Sequence, residues 1–148
     1  MKRPILFKGG GRLSKNYFYD PNETRSHNCL HNYVIGVRRC GKTYGCLKDC
    51  INRFITRGEQ FIYLRRYKTE LKEFDKILDP LIDNEEFKGH ELEVKNKEIY
   101  VDDEIAGFGR ALSTGKIQKG TNMTQVQTII FDEFLIEKGV YHYLQDET

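Results

Sequence analysis

Apolar residues recur at helical spacing in the segment that follows Lys42. They fall at Cys46, Leu47, Cys50, Ile51, Phe54 and Ile55, the i, i+1, i+4, i+5 pattern of one helix face. Gly58 follows this stripe and can end the helix in a left-handed cap. Short β-favouring runs stand on both sides, at residues 32–35 and 60–64. Two strands joined through a helix imply a right-handed parallel crossover, so the pattern predicts an α/β layer fold.

The period of the pattern changes after the second strand. Helical spacing across residues 71–81 predicts another helix, which Pro80 should end or bend. Alternation of apolar and charged residues across 92–105 then predicts a small antiparallel meander, with turns at 96–97 and 102–103. We expect this meander at the margin of the sheet.

Three further segments complete the prediction. Residues 126–131, VQTIIF, predict a third core strand, and a polar loop at 113–125 precedes it. Residues 1–31 contain a glycine triplet and consecutive aromatics at 17–19 without a sustained period, and they predict an irregular lead-in.

Length and composition narrow the class of protein. The chain has 148 residues, which suits one domain of about 100–200 residues. No apolar run approaches the roughly 20 residues that span a bilayer, so no membrane association is expected. The chain has four cysteines, too few for a disulfide scaffold, and no apolar leader follows Met1. These features predict a cytoplasmic protein.

The net charge of +2 conceals a division along the chain. Residues 1–68 hold 15 basic and 4 acidic side chains, whereas residues 69–148 hold 9 basic and 18 acidic ones. The basic half is typical of a phosphate-facing surface. The acidic side chains of the other half are interpreted as the solvated surface of a helix and a hairpin.

The loop before the first predicted helix carries the most specific motif. Residues 36–43, GVRRCGKT, match G-x-x-x-x-G-K-[ST] at every fixed position. Glycines let backbone amides converge on phosphate oxygens at a helix N-terminus. The motif therefore predicts an ATP site formed by Gly36, Val37, Arg38, Arg39, Cys40, Gly41, Lys42 and Thr43.

Individual roles follow from the chemistry of this motif. Lys42 would reach the β- and γ-phosphates and the Thr43 hydroxyl would ligate Mg²⁺. Either Arg38 or Arg39 could contact the nucleotide, with the other facing solvent or a partner, and the sequence does not rank them. The simpler alternative is a surface turn with a solvated lysine.

Two carboxylates follow the third predicted strand. Asp132 and Glu133 come directly after Phe131, and ligands of α/β sheets lie at the carboxyl ends of strands. Asp132 could hold Mg²⁺, while Glu133 could polarise the water that attacks the γ-phosphate. A solvated strand terminus is the alternative.

A zinc site is the main rival chemistry. Six candidate ligands cluster in the first half of the chain, at His27, Cys29, His31, Cys40, Cys46 and Cys50. They include no C-x₂-C pair, and two of the cysteines fall on the apolar helix stripe. A Cys/His nucleophile has no orienting third group. The remaining rivals are a helicase-like ATPase, a small-molecule kinase and a non-catalytic nucleotide-dependent scaffold.

The motifs together resemble the packaging ATPase of phi29-like bacteriophages. The resemblance spans about residues 17–138 and is carried by residues 36–43, 52–55, 58–63, 65–68 and 128–137. It implies a three-layer P-loop NTPase fold of the ASCE type, with a mostly parallel central sheet. It also implies Asp132 as the Mg²⁺-shell residue and Glu133 as the catalytic glutamate.

The same resemblance implies a biological setting. The family drives double-stranded DNA into a procapsid in the host cytoplasm, with a homo-oligomeric ring of ATPases docked on the portal. A packaging RNA is a further candidate partner. Arg65, Arg66 and Lys68 could reach a neighbouring subunit, and Lys116 and Lys119 could touch DNA from a pore loop. For all five, a solvated surface is the alternative.

The chain ends at Thr148, before the further strands, trans-acting arginine and nuclease-like domain of the family. We therefore expect residues 1–148 to be an isolated N-terminal ATPase domain, monomeric on its own. It should hydrolyse ATP slowly, because an arginine finger contributes about 10³–10⁵ in rate.

Overall fold

The structure is a computed structural model that describes residues 19–117 and 123–135. The chain divides into two compact units, Met1–Asp49 and Cys50–Thr148. The helix of the phosphate motif begins in the first unit and ends in the second.

The first unit contains a short helix that the sequence did not predict. Helix α1 spans Pro21–Ser26 inside the expected irregular lead-in. Its N-cap is Asp20, whose carboxylate accepts from the Asn22 N–H at 2.9 Å, and proline suits the first helical position. Arg25 in α1 pairs with Asp49 at 2.7 Å, which fixes α1 against the second helix.

Helix α2 spans Lys42–Arg57 and confirms the predicted helix. The predicted apolar stripe is buried at its centre, where Leu47, Cys50 and Ile51 are each at most 3% exposed. Gly58 adopts φ +68° and donates its N–H to the Phe54 carbonyl at 2.7 Å. This is the expected left-handed end of the helix.

The second unit is built on a mixed five-stranded sheet in the order β2-β3-β4-β1-β5. Strand β1 pairs in parallel with β4 and β5, while β3 pairs antiparallel with β2 and β4. The strands are β1 Gln60–Arg65, β2 Leu92–Lys95, β3 Glu98–Val101, β4 Glu104–Ala111 and β5 Val126–Phe131.

Two tight turns set the register of the antiparallel part. Asn96 and Lys97 have φ of +53° and +64°, and Asp102 and Asp103 have φ of +51° and +65°. Two consecutive left-handed residues are typical of the type I′ turn, whose twist matches that of a hairpin. The turns lie where the sequence predicted them.

Glycines in β4 let aromatic rings lie directly against the backbone. A Cβ on Gly107 would stand 2.7 Å from Phe61 Cζ, and one on Gly109 would stand 2.8 Å from Phe74 Cζ. Phe61 and Phe74 are both buried, and Phe74 also contacts the Tyr63 ring with centroids 5.6 Å apart. In the core of the second unit, the two phenylalanine rings therefore occupy the space that side chains at Gly107 and Gly109 would fill.

The predicted fold class, a three-layer P-loop NTPase fold of the ASCE type with a mostly parallel sheet, is wrong. Among the residues that the structure describes, two strand pairings are parallel and two are antiparallel. Residues 32–35, predicted as the strand before the phosphate loop, form no strand. Tyr33 and Ile35 in this segment are 65% and 60% exposed, whereas a parallel strand is normally buried on both faces. The result is a small mixed-sheet domain with few helices.

The predicted helix at 71–81 is also wrong. The segment forms short 3₁₀ turns at Lys68–Leu71 and Phe74–Lys76, and then helix α3 at Asp79–Asp83. Pro80 lies in the first turn of α3, where its missing N–H has no helical partner to lose. Proline therefore begins a helix here instead of ending one.

Strand β5 differs from the predicted core strand in its burial. It is the last strand of the sheet formed by the described residues, and Ile129 is 60% exposed. Exposed and half-buried positions alternate along it. Apolar composition predicted the strand correctly but not its place at the edge.

Among the described residues, no helix is both long enough and apolar enough to cross a membrane.

Candidate functional site

The phosphate-loop motif lies in the first unit, directly before α2. Arg39 and Gly41 have φ of +66° and +77°, which turns the chain sharply into the helix. The Tyr19 N–H donates to the Cys40 carbonyl at 2.9 Å. This bond attaches the segment before α1 to the loop.

The Lys42 side chain folds back across the loop. Its Nζ donates to the carbonyl oxygens of Gly36 and Val37 at 2.9 and 2.7 Å, and Cys40 Sγ lies at 3.3 Å. The ammonium group is thus held beside the first two residues of the loop. An oxyanion placed there would meet a positive charge.

The start of α2 is suited to an anion. The first amides of a helix have no intrahelical acceptor, and the helix dipole adds positive potential at the same end. The first turn of α2 contains no acidic residue, so no carboxylate of that turn competes for these amides. The local geometry therefore fits a phosphate group.

The acidic strand end lies in the second unit, where β1 and β5 finish side by side. Glu133, at φ +52°, follows Asp132 directly, and the Asp132 N–H donates to the Leu64 carbonyl at 3.1 Å. Arg65 at the end of β1 contacts both carboxylates, with NH1 at 2.6 Å from Glu133 Oε2 and NH2 at 3.5 Å from Asp132 Oδ2. The two acids are therefore held by a cation of the same chain.

Tyr63 completes this cluster from within β1. Its hydroxyl donates to Asp132 Oδ2 at 2.7 Å and accepts from Arg65 Nε at 3.0 Å. Burial, reinforced by the Asp132 charge and hydrogen bond, raises the pKa of the Tyr63 hydroxyl. Burial lowers the pKa of Arg65, but Tyr63, Asp132 and Glu133 outweigh it, so the net shift is upward. The network thus keeps a neutral phenol beside a charged guanidinium.

The Tyr63–Arg65–Asp132–Glu133 network is a feature that sequence reasoning missed. The sequence predicts Tyr63 only as part of a β-favouring run at 60–64, and Arg65 only as a residue that could reach a neighbouring subunit. A signal was present, since both segments were predicted as strands ending in charge, and parallel neighbours bring such ends together. The missing information was that β1 and β5 are adjacent.

The other predicted contact residues are spread over the same unit. Arg66 NH2 donates to the Phe134 carbonyl at 3.3 Å, and Lys68 is exposed in the first 3₁₀ turn. Lys116 belongs to a 3₁₀ helix at Leu112–Ile117 inside the predicted polar loop. Lys119 lies outside the described residues. Their roles toward DNA or a neighbouring subunit stay predictions.

Cysteines and histidines provide no evidence for the zinc alternative. None of the four cysteines forms a disulfide, and Cys50 is buried on the α2 stripe. Within residues 19–117 and 123–135, no group of three or more His, Cys, Asp or Glu side chains could hold a metal ion.

The available ligands fit Mg²⁺ carried by a nucleotide. Magnesium prefers oxygen ligands and in such sites takes one or two carboxylates beside phosphate and water. Asp132 supplies a carboxylate that is already oriented, because the Glu133 N–H donates to its Oδ1 at 3.0 Å. Thr43 supplies a hydroxyl in the first turn of α2. Residues 36–43 belong to the first unit and Asp132 and Glu133 to the second, so their action on one nucleotide stays a prediction.

Comparison with known proteins identifies the family. The profile of the Podovirus DNA encapsidation protein (Gp16) family matches residues 13–148. The chain belongs to this family. The DNA packaging proteins of Bacillus phages PZA and phi29 are each 41% identical to it over 135 residues, covering 91% of this chain and 40% of theirs. The chain thus spans about 40% of the length of these relatives.

Two solved structures agree with the fold. The N-terminal domain of the DNA packaging ATPase from bacteriophage phi29 matches with a TM-score of 0.77 and 43% identity, covering 82% of this chain and 62% of that one. A chain of the phi29 genome packaging motor assembly matches with a TM-score of 0.77 and 41% identity over 88% of this chain and 39% of that one. The chain is therefore homologous to an N-terminal domain, which corrects the expected complete P-loop fold.

Proposed function

We propose that this domain binds ATP and Mg²⁺ and contributes ATP hydrolysis to the packaging of double-stranded DNA into a phage procapsid. Membership of the Gp16 family supports the packaging role. The likeness to the N-terminal domain of a packaging ATPase supports the ATPase role. The protein would act inside the host cell during virion assembly.

The observation that carries this proposal is the position of Lys42. Its ammonium group lies 2.7–2.9 Å from two carbonyl oxygens of the phosphate loop, at the start of α2. A γ-phosphate oxygen is a stronger partner for an ammonium ion than a neutral carbonyl, because both groups are charged. Binding of the triphosphate would exchange these internal bonds for ionic ones.

The acidic strand end supplies the second part of the proposed chemistry. A bound Mg²⁺ ion would neutralise charge on the phosphate oxygens. Asp132, oriented by Tyr63 and by the Glu133 amide, is the carboxylate proposed to hold that ion. Glu133 is the proposed base for the attacking water. Arg65, 2.6 Å from Glu133, would hold that carboxylate in position.

The wider assembly is proposed by analogy with the relatives. One matching structure is a viral genome packaging motor assembly, which supports an oligomeric setting. A homo-oligomeric ring, the portal of the procapsid and a packaging RNA are the proposed partners. Arg66 and Lys116 remain proposed contacts to a neighbour or to DNA.

Replacement of Glu133 tests the catalytic part of the proposal. Glu133→Gln should leave ATP affinity unchanged and reduce single-turnover hydrolysis by about 10²–10⁴, the usual contribution of a general base. Glu104→Gln, at the exposed first position of β4, is the matched control and should hydrolyse at the wild-type rate. Equal hydrolysis by the wild type and Glu133→Gln would favour a nucleotide-dependent scaffold and contradict the proposal.

A further inference from the structure

The Tyr63 hydroxyl lies between the Arg65 guanidinium and one of the two acids within its reach. It donates to Asp132 Oδ2 at 2.7 Å and accepts from Arg65 Nε at 3.0 Å. With Nε directed to this hydroxyl, Arg65 NH1 lies 2.6 Å from Glu133 Oε2, while NH2 stays 3.5 Å from Asp132 Oδ2. Arg65 therefore makes its close ion pair with Glu133, and Asp132 receives a neutral donor.

Packing fixes the direction in which the Tyr63 hydroxyl points. Tyr63 is buried, and its ring lies against Phe74 with centroids 5.6 Å apart. The Arg65 guanidinium lies over the same ring, 5.5 Å from its centroid. Asp132 is placed by the sheet, because its N–H donates to the Leu64 carbonyl at 3.1 Å. The contact between hydroxyl and carboxylate is thus set by buried packing and by backbone pairing.

Charge alone would favour the other pairing of Arg65. The Glu133 side chain is 69% exposed, whereas the Asp132 side chain is 22% exposed. Water screens an exposed ion pair, so a guanidinium that can reach both acids gains more from the less exposed one. The hydroxyl bonds both to Asp132 Oδ2 and to Arg65 Nε, and it holds the guanidinium away from this stronger partner.

A neutral donor and a cation have opposite effects on a carboxylate that holds a metal ion. A hydrogen bond from a phenol orients the carboxylate and leaves its negative charge in place. A close guanidinium cancels that charge and repels a second cation at the same oxygen atoms. Groups that hydrogen-bond to metal ligands commonly change metal affinity by about 10–100-fold when they are replaced.

We infer that Tyr63 is a positioning residue that selects the partner of Arg65. Its hydroxyl keeps the guanidinium on Glu133 and so keeps the charge of Asp132 for the divalent cation of a bound nucleotide. This role rests on the proposed function, which supplies that cation. It goes beyond orientation of Asp132, because it makes Arg65 a competitor of the metal ion whenever the hydroxyl is missing.

Magnesium-dependent nucleotide binding tests this inference. Calorimetry would measure the ATP affinity of the chain in EDTA and across a series of Mg²⁺ concentrations. Tyr63→Phe keeps the ring and removes the hydroxyl, so the apparent Mg²⁺ affinity should fall by about 10–100-fold, with the ATP affinity in EDTA unchanged. Tyr100→Phe is the matched control, because it removes a hydroxyl that donates to Glu98 at 3.0 Å, and it should keep the wild-type Mg²⁺ affinity.

Replacement of Arg65 distinguishes positioning from a merely structural role. In Tyr63→Phe/Arg65→Gln the guanidinium no longer competes for Asp132, so the apparent Mg²⁺ affinity should return to within about threefold of that of Arg65→Gln alone. A packing defect caused by the phenylalanine would not be repaired by the second substitution. Urea unfolding of each variant verifies that it is folded.

A crystal structure of Tyr63→Phe gives a readout that needs no metal ion. The Arg65 guanidinium should leave Glu133 and lie within about 3.2 Å of an Asp132 oxygen. Three results would overturn the inference: Arg65 still paired with Glu133 in this variant, equal Mg²⁺ affinity of the wild type and Tyr63→Phe, or an unreduced loss in Tyr63→Phe/Arg65→Gln.

Asp132→Asn separates the inference from the proposed function. Mg²⁺ dependence that is lost in Asp132→Asn and fully kept in Tyr63→Phe would contradict the inference and support the proposed function. A wild type whose ATP affinity is the same with Mg²⁺ and in EDTA would contradict the proposed metal site. Movement of Arg65 onto Asp132 in Tyr63→Phe would then still support selection of its partner by the hydroxyl.

Discussion

At the scale of single residues, the Tyr63 hydroxyl connects the buried part of β1 to the acidic end of β5. It donates to Asp132 and accepts from Arg65, so one neutral group lies between a carboxylate and a guanidinium. Sequence patterning predicted the strand that contains Tyr63 but could not predict these partners, because they depend on which strands are neighbours. The charged residues at both strand ends were predictable, and their pairing was not.

Replacement of this hydroxyl should change the alkaline stability of the domain. The pKa of Tyr63 is higher in the folded chain than in the unfolded one, so above about pH 10 the unfolded state loses its proton first. Stability should therefore fall as the pH rises beyond 10, and Tyr63→Phe should flatten that fall. At pH 7 the variant should be less stable by about 1.5–3 kcal/mol, the usual value of a hydrogen bond to a charged group. Urea unfolding between pH 7 and 11 measures both effects, and an unchanged alkaline slope would contradict the assignment.

Gly107 provides a steric prediction at the same scale. Gly107→Ala would place a methyl group 2.7 Å from the ring of Phe61, which is fully buried. Overpacking of this kind costs about 1–3 kcal/mol. Chemical denaturation should show this loss, and Phe61→Leu in the same chain should relieve the clash. Additive losses in the double variant would show that the ring does not impose the glycine.

At the scale of elements, the sequence correctly predicted the helix with a long periodic pattern and the strands joined by turns with characteristic residues. Helix α2 matched a stripe over about three turns, and the β2–β3–β4 pairing matched alternating residues with Asn and Asp at the turns. The helix prediction for residues 71–81 failed because short 3₁₀ turns also bury the apolar residues of this segment. The strand prediction for residues 32–35 failed because a short β-favouring run forms a strand only beside a partner strand, which composition cannot identify.

The β3–β4 turn gives a prediction for an element. Asp103 adopts φ +65° at the second position of a type I′ turn, where glycine is preferred. Asp103→Gly should stabilise the second unit by about 0.5–1 kcal/mol, because the left-handed conformation is strained for aspartate. Asp103→Ala is the control and should not stabilise it. Thermal unfolding of the three chains ranks them, and a lower midpoint for the glycine variant would contradict the turn assignment.

At the scale of the whole molecule, the architecture differs from the sequence prediction, and the predicted chemistry stays a prediction. The phosphate motif and the acidic strand end were predicted from local spacing, which does not depend on the fold. The expected fold class depended on a strand before the loop and on a mostly parallel sheet, and residues 19–117 and 123–135 form neither. Strand pairing is a long-range property, so local patterns constrain it weakly.

The most direct test of the central claim is a calorimetric titration of the chain with ATP and Mg²⁺. The wild type should bind one nucleotide, and saturation at 100 times Kd should stabilise the domain by about 2.7 kcal/mol. Lys42→Ala should lose both effects, whereas Lys88→Ala, on an exposed turn of the second unit, should retain them. Binding of ATP with equal affinity by the wild type and Lys42→Ala, or no binding by the wild type, would contradict the account.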